Sequence, residues 1–262
     1  MIVSGIDAGS KVAKVVVLKD AKCIGWRISE AKGSDAGATE NELLTKILCD
    51  QGINFSELGY VVSTGLNLNH LSYVNKHISE SVALTEWAKT LTMRKITILN
   101  IGYQKVIAVK CAAGQLISSV NSDKCAAGAG IFLDMVAELL EVEVDDISEL
   151  VLKSSEPVQV ESTCAVFAET EIISLLYQKK LPQDILAGSI KGLANRIFSL
   201  LLKIRPEGEI IAAGGYTETY SLLKAIENLI DKKIAIPKNP QIASALGAAL
   251  IAEEYASEIA GK

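Results

Sequence analysis

Met1-Ile-Val-Ser-Gly-Ile-Asp-Ala-Gly-Ser-Lys-Val-Ala-Lys-Val-Val-Val-Leu18 opens the chain and sets the pattern on which its fold is built. Residues 2–6 are mostly apolar, residues 7–10 carry the small and acidic side chains of a turn, and residues 13–18 are mostly apolar and β-branched. Such a sequence predicts a strand, a tight turn and a returning strand.

The same form recurs at residues 95–110. Residues 96–99 predict a strand, Asn100-Ile-Gly-Tyr103 takes the turn, and residues 106–109 predict the returning strand. Two unrelated hairpins are an alternative, because hairpins that contain glycine are common. We interpret the repeat as a duplication, which predicts an α/β chain with two similar halves.

A third strand with a glycine turn follows in the second half. Residues 209–213 are apolar and lead into Gly214-Gly215, and a helix is predicted from about residue 218 to residue 229. A glycine pair between strand and helix lets the backbone approach a ligand closely and directs helix amides at an anion. Three such turns at strand ends favour a nucleotide-binding protein.

The turn after the first strand contains the main candidate for phosphate chemistry. A carboxylate at Asp7 can hold a water on Mg²⁺ while Ser10 and backbone amides contact phosphates, although an ordinary turn aspartate is the alternative. Lysines here can neutralise phosphate charge or simply lie on the surface, and Gln104 can orient a water. The predicted nucleotide-binding residues are Asp7, Gly9, Ser10, Lys11, Lys14, Gly102, Gln104, Gly214 and Gly215, with Asp7 and Gln104 as candidate catalytic residues.

Length and charge restrict the function classes. The 262 residues suffice for one large or two modest domains, and an apolar content of 49% allows a substantial core. The net charge of −5 argues against nucleic acid as the main partner, because phosphate backbones require a basic surface. We see no apolar run of about 18 residues, so no membrane span is expected, and the N-terminus reads as a strand and not as a charged leader. Five widely spaced cysteines do not suit a disulfide framework, so a reducing cytoplasm is expected.

Two of the five cysteines stand in unusual surroundings. Cys125 lies in Asn-Ser-Asp-Lys-Cys-Ala-Ala-Gly-Ala-Gly, and Cys164 lies in Glu-Ser-Thr-Cys-Ala-Val-Phe-Ala-Glu. Two thiolates are half of the four that a cubane iron–sulfur cluster needs, and a two-fold symmetric dimer would supply the rest. Burial is the alternative for either thiol alone, and it is the interpretation we favour for Cys23, Cys49 and Cys111.

The cysteine segments resemble those of a known family. Residues 123–134 and 162–171 are similar to the two cysteine motifs of the activators of 2-hydroxyacyl-CoA dehydratases. That ATPase family includes the ATP-binding subunits of benzoyl-CoA reductase. The resemblance extends over essentially the whole chain, and the glycine loops are shared with the wider superfamily of sugar kinases, heat-shock chaperones and actin.

The resemblance implies two ribonuclease-H-like (actin-like ATPase) domains of α/β class with a nucleotide cleft between them. The first domain would comprise residues 1–92, completed by a C-terminal helix at 240–262, and the second would comprise residues 93–239. It further implies a homodimer that shares one [4Fe–4S] cluster, with Cys125 and Cys164 of each copy as ligands, and that binds ATP or ADP with Mg²⁺. The implied activity is ATP-driven transfer of a low-potential electron from a ferredoxin or flavodoxin to an iron–sulfur dehydratase or reductase.

Three segments depart from the family pattern. The second phosphate motif, Asp-Ile-Gly-Gly-Gln-Asp-x-Lys in the family, is Asn100-Ile-Gly-Tyr-Gln-Lys105 here, two residues shorter. A Gly-Tyr-Gly-Arg-like stretch is replaced by Gly65-Leu-Asn-Leu, and Gly-Gly-Val-Ala-x-Asn by Gly214-Gly-Tyr-Thr-Glu-Thr. Loss of a carboxylate near Mg²⁺ should weaken hydrolysis more than binding. Two alternatives therefore stay open: a cluster-carrying subunit with weak or no hydrolysis, paired with itself or with a paralogue, and a sugar or acyl kinase.

Overall fold

The computed structural model describes residues 1–31, 37–65, 71–122, 130–160 and 165–260. The chain divides into two units. The first contains residues 1–95, 111–117 and 239–262, and the second contains residues 96–110 and 118–238.

The described residues form ten strands and eight α-helices, numbered here in chain order. The strands are β1 (Ile2–Ala8), β2 (Val12–Lys19), β3 (Lys22–Glu30), β4 (Leu58–Gly65), β5 (Lys76–His77), β6 (Ile96–Ile101), β7 (Val106–Ala112), β8 (Gln115–Asn121), β9 (Glu209–Ala213) and β10 (Ile234–Ala235). The helices are α1 (Ala38–Asp50), α2 (Glu80–Lys89), α3 (Gly130–Leu139), α4 (Ile147–Leu152), α5 (Ala165–Tyr177), α6 (Pro182–Ile204), α7 (Tyr220–Ile230) and α8 (Ala243–Ala260).

The two sheets have the same topology. Strands in the first sheet follow the order β3-β2-β1-β4-β5, and strands in the second follow β8-β7-β6-β9-β10. In the first sheet β1 is antiparallel to β2 and parallel to β4, and in the second β6 is parallel to β9. Each half of the chain therefore builds one mixed five-stranded sheet, which confirms the α/β class and the duplication predicted from the paired hairpins.

Helices cover both faces of the first sheet. Side chains alternate between faces along a strand, so Ile6 of β1 packs with Leu44 of α1 while Val3 packs with α8. Gly5 allows α8 to approach, because a Cβ there would lie 2.1 Å from the carbonyl oxygen of Ala245. Asp7 lies on the same face as Gly5, two residues closer to the carboxyl end of β1.

Helix α6 contributes many of the buried residues in the core of the second unit. It begins with Pro182 at its first turn, as the sequence predicts, and its residues Ile185, Leu193 and Ile197 are buried in the core with residues of α3, α5 and α7. Among the described residues it is the one helix whose length and composition would allow it to cross a membrane. The buried apolar face shows that these residues serve as the core of this unit.

A helix is predicted within residues 70–90, and α2 lies inside this range; it begins at Glu80, where Ser79 accepts a hydrogen bond from the amide of Val82. Other elements differ from the sequence-based expectation. The pattern does not predict β3 or β4. Cys111 is buried, as expected, whereas Cys23 and Cys49 are exposed. Cys23 lies on β3, which is one of the two edge strands of its sheet in the described part of the chain.

Candidate functional site

The first candidate site lies at the carboxyl end of β1, in the first unit. Asp7 is 5% exposed and stands opposite Lys14 in the antiparallel ladder with β2. The Nζ atom of Lys14 lies 2.9 Å from Oδ2 of Asp7, and both side chains are largely buried. Lys14 is predicted from the sequence to neutralise phosphate; in the structure its ammonium group neutralises the carboxylate of Asp7.

The neighbouring strand β4 adds a hydroxyl group beside this ion pair. Thr64 is the register partner of Asp7 in the parallel β1–β4 ladder, so both side chains project from the same face of the sheet. Its Oγ1 atom is buried and has no hydrogen-bond partner within the described part of the chain. Buried polar atoms are normally satisfied, so this position fits a bound water or ligand. No local feature of the sequence marks Thr64 as a member of this group.

Glycines keep the space around Asp7 clear. Gly65 has a φ of +84°, and a Cβ there would lie 2.9 Å from Oδ1 of Asp7. A Cβ at Gly9 would lie 2.4 Å from the carbonyl oxygen of Val12, so the turn after β1 requires glycine. Ser10 is exposed at this turn, and Lys11 is half-buried. The predicted residues of the first loop are thus brought together around one buried carboxylate.

A second carboxyl group belongs to the same surroundings. Glu40, in the first turn of α1, is 5% exposed. Burial raises the pKa of Glu40; hydrogen bonds from backbone amides oppose this rise, and the negative charge of Asp7 adds to it. Burial, with a contribution from Glu40, also raises the pKa of Tyr73 to about 12. A glutamate in the first turn of an amphipathic helix looks like an ordinary surface residue, so its burial was not foreseen.

Replacement of Glu40 by glutamine should stabilise the protein near neutral pH. A carboxyl group whose folded pKa is raised favours folding below its unfolded value, near 4.5, and loses this contribution as the pH rises through the folded pKa. We therefore expect Glu40→Gln to raise Tm at pH 8 relative to the parent, with no gain at pH 4. Glu42→Gln, the same change at a half-exposed position on the same helix, is the control and should cost at most about 0.5 kcal/mol through its pair with Lys46. A gain of equal size at both pH values would contradict the interpretation.

A second candidate site lies in the second unit, where two loops meet. The turn after β6 is closed by a 3.0 Å hydrogen bond from the Gly102 amide to the carbonyl oxygen of Lys105. Gly214 has a φ of +95°, and a Cβ there would lie 2.3 Å from the carbonyl oxygen of Ile101 and 2.7 Å from Oδ1 of Asn100. Asn100 is buried and Gln104 is exposed. The 100–105 loop and the loop at Gly214-Gly215 are therefore in direct contact.

Gly215 differs from its neighbour. No atom of the described residues lies within 4 Å of a Cβ built at this residue, and the residue is exposed. The loop behind it is fixed by a hydrogen bond of 2.9 Å from Oγ1 of Thr217 to the carbonyl oxygen of Gly214. Conformation and close packing require glycine at Gly214, whereas Gly215 borders open space.

Two tyrosines connect these loops to α3. The rings of Tyr103 and Tyr216 are stacked, with centroids 6.5 Å apart and planes at 23°. The hydroxyl group of Tyr216 donates a 2.7 Å hydrogen bond to Oδ1 of Asp134 in α3. Burial, followed by this interaction with Asp134, raises the pKa of Tyr216 above its usual range, so the phenol stays protonated as a donor. These contacts join residues that are distant in the chain, so no local sequence pattern predicts them.

The predicted cluster ligands Cys125 and Cys164 lie outside the described residues. Across the described ranges there is no group of three or more His, Cys, Asp or Glu side chains arranged to hold a metal ion. Helix α3 begins five residues after Cys125, and α5 begins at the residue after Cys164. In the sequence, Cys164 therefore directly precedes a described helix, and Cys125 precedes one by five residues.

The segment that leads towards Cys164 is held on α6. Oδ1 of Asp184 accepts hydrogen bonds from Oγ of Ser154 and from the amides of Ser155 and Glu156, at 2.7, 3.1 and 3.1 Å. The hydrogen bond from Ser154 is the main reason why the pKa of Asp184 lies below its usual value. Close by, a Cβ at Gly188 would lie only 1.7 Å from the carbonyl oxygen of Val158.

Comparisons with known proteins cover nearly the whole chain. The sequence profile of the BadF/BadG/BcrA/BcrD ATPase family matches residues 4–252. The 2-hydroxyisocaproyl-CoA dehydratase activator of Clostridioides difficile is 34% identical over 98% of this chain and 97% of its own length. The (R)-2-hydroxyglutaryl-CoA dehydratase activating ATPase of Acidaminococcus fermentans is 32% identical over 97% of this chain and 98% of its own length. A benzoyl-CoA reductase subunit of Thauera aromatica is 27% identical over 95% of this chain and 92% of its own length.

Solved structures agree with the sequence comparisons. The activator of the 2-hydroxyisocaproyl-CoA dehydratase from Clostridium difficile with bound ADPNP superposes with a TM-score of 0.91 and 32% identity, covering all of this chain and 97% of its own. A ROK hexokinase from Thermus thermophilus superposes with a TM-score of 0.54 and 12% identity, covering 97% of this chain and 99% of its own. The second likeness concerns the fold alone; together with the first it agrees with the predicted α/β fold of actin-like type.

Proposed function

The chain belongs to the BadF/BadG/BcrA/BcrD ATPase family, and from this premise we propose that it is an ATP-driven activator that delivers low-potential electrons to a partner iron–sulfur enzyme. The partner would be of the 2-hydroxyacyl-CoA dehydratase or benzoyl-CoA reductase type. The observation that carries the proposal is the end-to-end match to dehydratase activators, at 34% and 32% identity. A chain that matched only their nucleotide-binding fold would not support it.

Nucleotide binding is the first component of this proposal. It is supported by the ATPase family and by the ADPNP-bound relative. In the first unit, Asp7 would face the Mg²⁺ that accompanies ATP, and Gly9, Ser10, Lys11 and Lys14 would receive phosphate oxygens. The buried carboxylate of Asp7 and the unsatisfied hydroxyl of Thr64 fit the water shell of such a cation, because Mg²⁺ keeps several waters when it binds nucleotides.

The second unit would contribute its own loops. Gly102 and Gln104 would contact the phosphate or the water that attacks it. Gly214 and Gly215 would contact the nucleoside. The open space beside Gly215 is consistent with that role. Bound Mg²⁺ would supply neutralisation of the phosphate charge.

Electron transfer is the second component. Cys125 and Cys164 of two copies would hold one [4Fe–4S] cluster, which would supply the low-potential electron. The protein would then act as a homodimer, or as a heterodimer with a paralogue, with a ferredoxin or flavodoxin as reductant. Free thiols at Cys23, Cys49 and Cys111 are compatible with the reducing cytoplasm that this chemistry needs.

Anaerobic purification and metal analysis test the proposal. We expect about four iron and four sulfide per dimer, and a change in the electron paramagnetic resonance signal of the dithionite-reduced protein when Mg-ATP is added. Mg-ADP and Mg-free ATP serve as controls. A protein that binds Mg-ATP but contains no iron after anaerobic reconstitution would leave the kinase alternative as the better description.

A related function, a cluster-carrying subunit with weak hydrolysis, is favoured by one local observation. Asn100 stands where the family has an aspartate, and it is buried against Gly214. An amide cannot act as a base or bring negative charge to the metal's water shell. Tyr103, in the same shortened loop, replaces a small glycine with a stacked ring.

Asn100→Asp should raise the rate of ATP hydrolysis by on the order of tenfold without a large change in nucleotide affinity. The substitution is nearly isosteric, so the loop keeps its packing against Gly214. Phosphate release and calorimetric titration with Mg-ADP measure the two quantities separately. Asn195→Asp, the same change at an exposed position on α6, is the matched control. Vigorous hydrolysis in the unmodified protein would instead support the full activator.

A further inference from the structure

Tyr103, Tyr216 and Asp134 form a connected group that we call the aromatic latch. Tyr103 belongs to the 100–105 loop, Tyr216 to the loop after Gly214-Gly215, and Asp134 to the second turn of α3. The stacked rings join the two loops, and the 2.7 Å hydrogen bond from Tyr216 joins both to the helix. Three segments that are distant in the chain therefore meet through one side chain, that of Tyr216.

The first turn of α3 is bound to the same loop by its backbone. The Gly130 amide donates to the carbonyl oxygen of Gly102 at 3.0 Å, and the Ile131 amide donates to that of Tyr103 at 2.8 Å. The first amides of a helix have no partner within the helix, so these two depend on the loop. A displacement of the loop therefore acts directly on the start of α3.

Tyr216 also fits closely against the helix start. A Cβ at Gly130 would lie 2.0 Å from Cε2 of Tyr216, so the ring occupies the space that this glycine leaves open. Both tyrosines stand at positions where the family motif has other residues, glycine for Tyr103 and valine for Tyr216. Two departures that contact each other indicate one joint change, since either ring alone would lose its stacking partner.

We propose that Tyr216 is a positioning residue that couples the two nucleotide loops to α3 through the aromatic latch. The coupling to nucleotide rests on the proposed function. The attachment of α3 to the two loops depends only on the contacts described above. In the unliganded protein, the latch holds the Gly130 and Ile131 amides on the loop. When nucleotide displaces either loop, the stacked rings and Asp134 transmit the displacement to α3.

Hydrogen exchange in anaerobically purified protein tests the clamp. Tyr216→Phe keeps the ring and its stacking but removes the hydrogen bond to Asp134. We expect the amides of Gly130 and Ile131 to exchange about tenfold faster in this variant, the factor that a hydrogen bond to a charged group is typically worth. Tyr220→Phe is the matched control, because it makes the same chemical change at a residue that is 58% exposed, and its exchange should equal that of the parent. Equal exchange in Tyr216→Phe and the parent would overturn the latch.

The coupling is tested by adding Mg-ADP to the same proteins. In the parent, binding should change exchange at Gly130 and Ile131, and in Tyr216→Phe this change should fall to less than about half while the Kd stays within about threefold. A nucleotide-induced change of equal size in both proteins would overturn the coupling. If the parent binds no nucleotide by calorimetry, the proposed function fails, and the unliganded comparison still decides whether the latch exists.

Discussion

Anaerobically purified Cys164→Ala and Cys125→Ala proteins should each lose the cluster and its brown colour. A cubane cluster needs four thiolates, and a dimer that draws two from each chain would retain only two after either substitution. Because metal–thiolate bonds would join the two copies, loss of the cluster should also weaken the dimer, which would then dissociate at a higher protein concentration than the parent. Iron analysis, visible absorbance and analytical ultracentrifugation measure the three effects.

Cys49→Ala is the matched control for this prediction. Cys49 is exposed on α1, so its removal should leave iron content and folding unchanged. Cys111 is a poorer control, since it is buried and its truncation leaves a small cavity. Full iron content in Cys164→Ala would refute the ligand assignment, whatever the behaviour of Cys125→Ala.

Gly188→Ala should be the most damaging single-methyl change in the second unit. The added Cβ would lie 1.7 Å from the carbonyl oxygen of Val158, and neither that backbone nor α6 can yield without breaking other contacts. Overpacking of this kind costs about 3 kcal/mol or more. The segment that it displaces leads towards Cys164, so we expect loss of iron together with a lower Tm.

Gly192→Ala, one helical turn further along α6, is the companion experiment. Its Cβ would lie 3.5 Å from the carbonyl oxygen of Val160, which is an ordinary contact. Alanine is the better helix former, so this variant should be neutral or more stable by about 0.5–1 kcal/mol. Equal Tm values for the two variants would show that the 154–160 segment is not pressed against α6.

The sequence predicted much of the fold because its informative features are local. A strand, a turn and a returning strand are visible within 18 residues, and their recurrence after residue 95 predicted a second sheet that the structure contains. Strands β3 and β4 were missed because an edge strand carries few apolar residues and β4 begins with a mixed pattern. The place of β4 depends on parallel pairing with β1, which is far away in the sequence, so no short window contains it. Strand β3 pairs with β2 across a short turn, so its pairing is local and only its composition concealed it.

The site was predicted less completely for the same reason. Asp7, Gly9 and Ser10 follow one another in the chain, and their grouping was evident. Thr64 reaches Asp7 only through the register of two parallel strands. Tyr216 meets Asp134 from 82 residues away. Contacts of this range are set by tertiary packing, and a single sequence holds no local sign of them.

The ion pair between Lys14 and Asp7 gives the first loop an internal counter-ion. A bare divalent cation that approaches Asp7 has to displace an ammonium group 2.9 Å away and leave it largely buried without compensation, which is costly. A cation that arrives with a polyphosphate brings the anion that the displaced ammonium group can take as its new partner. Under the proposed function, Lys14 would therefore favour the joint binding of metal and phosphate over the binding of metal alone.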